Sequence, residues 1–257
     1  VRLLNHHALI TGGGTGIGAA IAAALAAEGA SLTLVGRRSD RLEATADSLR
    51  STGAYVATAA ADVTLRTQVD RAFAAAREAH GPVTILVNNA GAVQVAPFAR
   101  LSEESWRGAL AVNLDALFFC CQAALEDVKA AQNGRIVTIA STAGLKGYAY
   151  TAPYVAAKHG AVGLMRALAT EFAATGLTAN AVCPGFTATD IVEEAVANIA
   201  GKTGRSPDQA RAELTRFNPQ GRLVTPEEVA AAVLWLCLPT SGSINGQTIA
   251  VAGGEVM

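Results

Sequence analysis

The run Ala8-Leu9-Ile10-Thr11-Gly12-Gly13-Gly14-Thr15-Gly16-Ile17-Gly18 decides the fold. Three apolar residues make a short strand that stops at a cluster of glycines. Beyond them Ile17, Ile21 and Leu25 recur at helical spacing among alanines, up to Gly29. Strand, glycine turn and helix in that order open a dinucleotide-binding unit. Glycine lets backbone approach a pyrophosphate, and the helix start offers free N–H groups and the positive end of its dipole. The spacing is Gly-x-x-x-Gly-x-Gly rather than the commoner Gly-x-Gly-x-x-Gly. A merely flexible glycine loop is the competing reading, and the flanking strand and helix argue against it.

Outward from this stretch, the chain alternates. Ser31–Val35, Tyr55–Ala60, Thr84–Val87, Gly134–Ser141, Leu177–Cys183 and Gln247–Val251 read as six further strands. Helical periodicity fills Asp40–Arg50, Thr64–His80, a long segment after the N-cap candidate Ser102, Tyr154–Ala173, and a segment from Thr225 to Pro239. Thr225-Pro226-Glu227-Glu228 is a strong helix start, with Pro at the first position and Glu at the third. Residues 190–218 read as mobile helical fragments broken by Gly201, Gly204 and Pro207. A long insertion after a strand's carboxyl end is where a substrate lid would sit. The pattern predicts an α/β fold: residues 1–257 form a single doubly wound, Rossmann-type, seven-stranded parallel sheet with helices on both faces.

In such a sheet the chemistry lies at the carboxyl ends of the strands. Gly12–Gly18, Arg37, Asp62, Asn88–Gly91, Ser141 and Pro184–Thr189 all fall there. At the end of the second strand an acidic residue would take the 2′-hydroxyl of NAD, whereas arginine suits the 2′-phosphate of NADP. Here Arg37 and Arg38 follow Gly36 with no carboxylate beside them, which favours NADP and leaves NAD possible. They could also simply open a solvated loop. Asp62 has two readings, acceptor from the adenine amino group or cap of the next helix. Asn88 fits a structural role bridging strands. Asn113 is an amide on the apolar stripe of Trp106, Leu110, Leu117 and Cys121, so it is either a buried network residue or a groove-facing group holding water.

The fifth strand ends at Ser141, and Tyr154 and Lys158 follow one helical turn apart. A phenol beside an ammonium is expected to have its pKa pulled down toward the working pH, which suits proton transfer to or from an oxygen.

Composition narrows the classes. Of 257 residues, 51% are hydrophobic, enough for a large core, and only 16% are charged, which points to surface covered by other subunits or ligand. The net charge of −1 gives no sign of nucleic-acid binding or of an anionic membrane surface. No apolar run reaches the ~18 residues that span a bilayer, and no signal peptide is expected. Cys120, Cys121, Cys183 and Cys237 form no Cys-x-x-Cys pair, and read as buried thiols in a reducing, cytoplasmic compartment. The four histidines have no metal spacing, so no metal site is expected.

Taken together, Thr11–Gly18, Asn88-Asn89-Ala90-Gly91, Asn113, Ser141, Tyr154-x-x-x-Lys158 and Pro184-Gly185 resemble the short-chain dehydrogenase/reductase family over essentially the full length. Within it, Pro153–Gly160 and Asn180–Phe186 are similar to β-ketoacyl and polyketide ketoreductases. The resemblance implies hydride transfer between a nicotinamide cofactor and a ketone or secondary alcohol. Tyr154 would be the general acid or base, and Lys158 would lower its pKa and bind the nicotinamide ribose. Ser141 would hold the substrate oxygen, and Asn113 a water linking Lys158 to solvent. Thr189 would match the threonine that fixes the carboxamide or phosphate. Gly12, Thr15, Gly16, Ile17, Arg37, Arg38, Asp62, Val63, Asn89, Ala90, Gly91, Pro184, Gly185, Thr187 and Thr189 would surround the cofactor with Tyr154 and Lys158.

Val93, Ala143, Leu145, Tyr148, Tyr150 and Phe186 are the candidate substrate wall, for a small carbonyl or alcohol, with a thioester possible. Arg205, Arg211 and Arg216 would either greet a phosphorylated carrier or form a solvated helix face. A homotetramer is expected. The main expectation is NADPH-dependent reduction of a ketone or 3-oxoacyl group. Its alternatives are an NAD-dependent dehydrogenase of a hydroxyacyl thioester, cyclic or aromatic alcohol and, from another class, a non-catalytic cofactor-sensing regulator.

Overall fold

A computed structural model describes residues 1–257. Seven strands, all parallel, form one sheet in the order β3-β2-β1-β4-β5-β6-β7. They are β1 (His7–Thr11), β2 (Ser31–Gly36), β3 (Val56–Ala60), β4 (Ile85–Asn88), β5 (Arg135–Ile139), β6 (Thr178–Pro184) and β7 (Thr248–Val251). The order reverses between β1 and β4, and a crevice opens above that point at the carboxyl edge.

Strand residues alternate between two cores, as the pleat requires. Ala8 and Ile10 face α1 (Gly16–Ala27), α2 (Ser39–Arg50) and α9 (Pro226–Cys237) on one side, with Ile21, Leu25, Leu42 and Val233 buried among them. Leu9 faces the other side, against α3 (Arg66–His80), α5 (Ala116–Ala130) and α6 (Ala152–Glu171), where Phe73, Ala124, Val128 and Met165 are buried. The clusters hold 25 and 24 buried residues. A fully buried Leu or Phe contributes roughly 1.5–3 kcal/mol, a surface ion pair about 0–1 kcal/mol, so the two cores and not the surface pairs hold the layers together.

Three sequence expectations need correction here. The long helix after Ser102 is two helices, α4 (Glu103–Leu110) and α5, joined by a π turn at Ala111–Asp115 in which Ala116 N–H reaches back to Ala111 O. The periodicity of the apolar residues does not reveal one extra residue in a turn. Second, the combined stretch Glu103–Ala130 is helical for 28 residues, with a mean hydropathy of 1.6 over its best 18. It is therefore long and apolar enough to cross a membrane by length and composition, because scattered polar residues interrupt the run without lowering its average. One face of its second half packs on the sheet through Cys120, Cys121, Ala124 and Val128.

Third, residues 190–218 are not fragments broken at Gly201. They form α7 (Asp190–Thr203), which runs through Gly201 and ends at the left-handed Gly204, and α8 (Pro207–Thr215). Ser206 and Gln209 close a full capping box on α8. Val192, Val196, Ala210 and Leu214 bury a small core of their own, which outweighs the roughly 1 kcal/mol helix penalty of one glycine.

Candidate active site

Thr11 ends β1 and organises the crevice. Its buried Oγ1 accepts from Asn89 N–H and from Ala90 N–H, both at 3.0 Å. The Asn89 amide donates to Thr11 O at 3.0 Å and Gly12 O at 3.1 Å. Four hydrogen bonds thus tie the loop after β1 to the loop after β4 across the switch point. The amide of Asn89, a cofactor-site candidate, braces the glycine loop. Asn88 takes the structural part expected of it, buried with its amide toward Cys121 Sγ and Thr138 Oγ1, each at 3.4 Å.

The glycines are dictated by space. Gly12 has φ +66, and a Cβ there would lie 2.8 Å from the Asn89 amide nitrogen. A Cβ on Gly18 would lie 2.1 Å from Gly12 O, so the loop and the first turn of α1 could not close with any other residue. Thr15 is the N-cap of α1 but makes no capping hydrogen bond. The first-turn N–H groups around Gly16 and Ile17 are left without a side-chain partner, in the geometry that accepts a phosphate. Thr189, from the loop after β6, places its methyl 3.2 Å from the position a Cβ would take on Gly16. This pocket of backbone donors, bounded by loops rather than filled by side chains, fits the pyrophosphate of a dinucleotide.

At the far end of β2, Arg37 and Arg38 are exposed, and Arg38 caps the backbone of α2 without a side-chain bond. Asp62 accepts from Thr64 N–H at 2.9 Å and Thr64 Oγ1 at 2.7 Å, an Asx turn ahead of α3 rather than its cap, since the N-cap of α3 is Leu65. The Thr64 bonds, and less so the charge of Arg37, hold the Asp62 carboxyl below its ordinary range. Arg37 and Asp62 thus lie within electrostatic reach of each other at the carboxyl ends of β2 and β3. Val63 is buried in the core beneath, while Ile17 and Ala90 pack partly buried against the two cores.

Ser141, Tyr154 and Lys158 converge at the ends of β5 and α6. Ser141 Oγ accepts from Ala143 N–H at 3.1 Å and lies close enough to Tyr154 to draw its pKa down. Lys158 is buried and donates to Ile139 O at 2.8 Å, with its Nζ 5.6 Å from the centre of the Tyr154 ring. Burial pushes the Lys158 pKa down to about 8. The expectation for Tyr154 is corrected: burial raises its phenol pKa, the nearby Ser141 side chain opposes that only in part, and Lys158 brings no net lowering in this arrangement. The ammonium lies toward the ring and the Ile139 carbonyl rather than toward the hydroxyl. The site can hold a carbonyl oxygen between two hydroxyl groups, with a buried cation behind the phenol.

Asn113 has no exposed surface. Its amide donates to Ala92 O at 2.8 Å and Ala109 O at 3.0 Å, and its Oδ1 accepts from Ala92 N–H at 3.3 Å. The side chain therefore clamps the loop after Gly91 onto the π turn and does not hang into the groove. Of the remaining candidates, Thr187 is buried with its hydroxyl on Gly185 O at 3.0 Å, and Gly185 N–H is held by Val251 O at 3.1 Å next to Pro184. Thr189 donates to Thr187 O at 3.3 Å.

Among the wall residues, Ala143 is buried under its loop, Val93 and Leu145 are exposed at the rim, and Tyr150 is 61% exposed in a left-handed turn, φ 66. Tyr148 and Phe186 meet edge to face at 6.3 Å. Sequence reasoning missed Thr11, the Ile139 carbonyl, Phe217 and Glu255. Thr11 sits directly before the glycines and was within reach of the motif; Phe217 and Glu255 carry no local signal. Arg211 is paired with Glu193, and Arg205 with Glu213, which supports the solvated-face reading of those arginines.

Residues 6–200 match the family described as short chain dehydrogenase. A relative named for ketoacyl reduction in the granaticin polyketide synthase of Streptomyces violaceoruber is 40% identical over 249 residues, 96% of this chain and 92% of the relative. D-beta-hydroxybutyrate dehydrogenase of Cupriavidus necator is 38% identical over 251 residues, 97% of each chain. The crystal structure of a variant actinorhodin polyketide ketoreductase with NADPH superposes with a TM-score of 0.93, at 36% identity, covering 97% of both chains. The glycine cradle, the converged serine, tyrosine and lysine, and these likenesses over nearly the whole length agree: the chain belongs to the short-chain dehydrogenase/reductase family, a nicotinamide-dependent oxidoreductase of ketones and alcohols.

Proposed function

We propose that the chain reduces a ketone or 3-oxoacyl-type substrate with NADPH. The observation that carries this reading is the meeting of Ser141, Tyr154 and Lys158 beside an uncapped α1 N-terminus. The cofactor, when bound, supplies the hydride. The backbone around Gly12, Gly16 and Ile17 would hold its pyrophosphate, Thr189 would approach from the opposite loop, and Arg37 would meet a 2′-phosphate. Ser141 orients the substrate oxygen, so that negative charge developing there meets a fixed hydroxyl donor. Tyr154 gives its phenolic proton to that oxygen. Its raised pKa keeps the proton on until the oxygen becomes basic enough to take it. Lys158 stands behind the phenol ring as a buried cation, its Nζ 5.6 Å from the ring centre. In alcohol oxidation the same groups act in reverse.

Two features support NADPH: the exposed arginines after β2, and the cofactor in the actinorhodin relative. A second reading, NAD-dependent oxidation of a hydroxyacyl compound, is favoured by the hydroxybutyrate dehydrogenase relative. Turnover of a carbonyl and alcohol panel with both cofactors separates them. The expected result is at least about tenfold higher kcat/KM with NADPH, the worth of one charge-assisted contact to the phosphate. A preference of that size for NADH overturns the reading. A homotetramer in the cytoplasm completes the proposal. Trp106 and Phe118 stand exposed along the helix of residues 103–130, only 33% of whose apolar window is buried within one chain, and all four cysteines are free and buried.

A further inference from the structure

The turn after β7 carries a carboxylate that the reaction does not use. The Glu255 side chain is 1% exposed. Its Oε1 accepts from the Tyr148 hydroxyl and pairs with Lys146 Nζ at 3.1 Å, while its Oε2 is buried without a partner, against Gly185. Tyr148 also shares a hydrogen bond of 2.6 Å with Thr142. Tyr148 donates its one hydroxyl proton to Glu255, so Thr142 must donate to Tyr148. A directed chain Thr142 to Tyr148 to Glu255 thus starts one residue from Ser141.

The same carboxylate reaches the lid. The Tyr148 ring meets Phe217, at the foot of α8, edge to face at 5.9 Å, and Phe217 stacks on Phe186 at 5.7 Å. Lys146 Nζ lies 5.0 Å from the Tyr148 ring centre and 5.7 Å from that of Phe217. Next to Glu255, the left-handed turn Gly253–Gly254 lies against Asn218 and Pro219. One buried side chain therefore ties together the loop after β5, the loop after β6 and the base of the α7–α8 segment.

We propose that Glu255 is a positioning residue of the substrate site: it holds Tyr148 and the aromatic floor beneath the α7–α8 segment, and sets affinity for the bulky part of a carbonyl substrate rather than the rate of the chemical step. The proposal rests on the ketoreductase reading above. Its test uses the full chain with NADPH and two probes, a bicyclic aromatic ketone and a four-carbon 3-oxo ester. Glu255→Ala and Tyr148→Phe are each expected to raise KM for the bicyclic ketone about tenfold, the worth of one charge-assisted hydrogen bond, with kcat changed less than about threefold. KM for the small ester should move by less than about threefold. Glu255→Gln keeps an oxygen acceptor for Tyr148 and is expected to recover most of the loss. The double variant should be no worse than Glu255→Ala, because both remove one interaction.

An unchanged KM, a kcat loss at constant KM, or additive single effects would overturn the proposal. If the wild-type chain turns over no carbonyl, the ketoreductase reading fails on its own, and the contact is tested by phenol ionisation at 295 nm instead. The transition missing from Tyr148→Phe should move to lower pH in Glu255→Gln, since burial and the carboxylate together push the Tyr148 pKa up. An unmoved transition would refute the contact itself.

Discussion

The two edges of the sheet each bury a strong base, and they use it differently. At the carboxyl edge Lys158 is 3% exposed; at the amino edge Arg135 is 1% exposed. Neither has a carboxylate partner. Arg135 donates to three backbone carbonyls, Gly134 at 2.9 Å, Leu238 at 3.4 Å and Gly176 at 3.5 Å, and its buried Nε has no partner. Lys158 has one, Ile139 at 2.8 Å, for an ammonium that carries three N–H donors. A guanidinium keeps its proton even though burial pulls its pKa down, whereas burial brings Lys158 to about 8. The amino-edge cation is thus enclosed by groups of the fold. The carboxyl-edge cation keeps donors for something else, beside a phenol. Burial of charge alone does not mark a functional site; its place beside a phenol at the carboxyl edge does.

This contrast implies a double dissociation, in which the carboxyl edge governs turnover and the amino edge governs stability. The largest expected effect is from Tyr154→Phe. Turnover should fall about thousandfold while the cofactor still binds and the melting temperature holds. Near-normal turnover would remove Tyr154 from the proton path. Next, Lys158→Met should lower kcat/KM about a hundredfold. Lys158 is charged below about 8, and the phenol must keep its proton for reduction. With the cofactor as the varied substrate, wild-type kcat/KM should therefore fall as pH rises through about 8, and that limb should vanish in the variant. A limb that persists would assign the titration to another group.

At the opposite edge, Arg135→Met should leave turnover per folded molecule unchanged. Three carbonyls lose their donor, at a cost of about 2 kcal/mol, or roughly 4–8 °C in thermal unfolding of a chain this size. A stable but inactive variant would break the comparison. The smallest effect concerns His7, which is buried with Nδ1 on Gly81 O at 2.9 Å and Nε2 on Thr33 Oγ1 at 2.9 Å. The carbonyl fixes Nδ1 as the donor, so Nε2 accepts from Thr33. Burial lowers the pKa of His7, and also those of His6 and His80, below 6.5. The unfolded chain then binds more protons just below that pH. Stability should be full above about 6.5 and fall as pH drops beneath it, by at most about 1.4 kcal/mol per pH unit for each histidine. Urea unfolding at pH 7.5 and 5.5 measures it, and His7→Gln should flatten the slope.

Much of the site was legible because its parts are local. Thr11–Gly18 and Tyr154-x-x-x-Lys158 are contiguous or one helical turn apart, and their geometry follows from strand, turn and helix alone. What was not legible shares a cause. Asn89 and Asn113 were recognised as amides that need partners, but which partners they take depends on loops brought from other strands. Tyr148 was taken for a free wall residue because its partner, Glu255, lies 107 positions away.

The α7–α8 segment was read as broken at Gly201 because a glycine is weighed locally. The four buried residues that keep the segment helical meet only once it folds back on itself.

The amino-acid sequence by itself therefore determined the parallel sheet, the glycine cradle and the serine, tyrosine and lysine set, since hydrophobic period and backbone sterics act over a few residues. Tertiary structure alone decided how far the phenol and the lysine are buried, hence the direction of their pKa shifts, and which polar groups are already satisfied. Desolvation and hydrogen-bond partnership depend on what packs around a group, and that is fixed by residues distant in the chain.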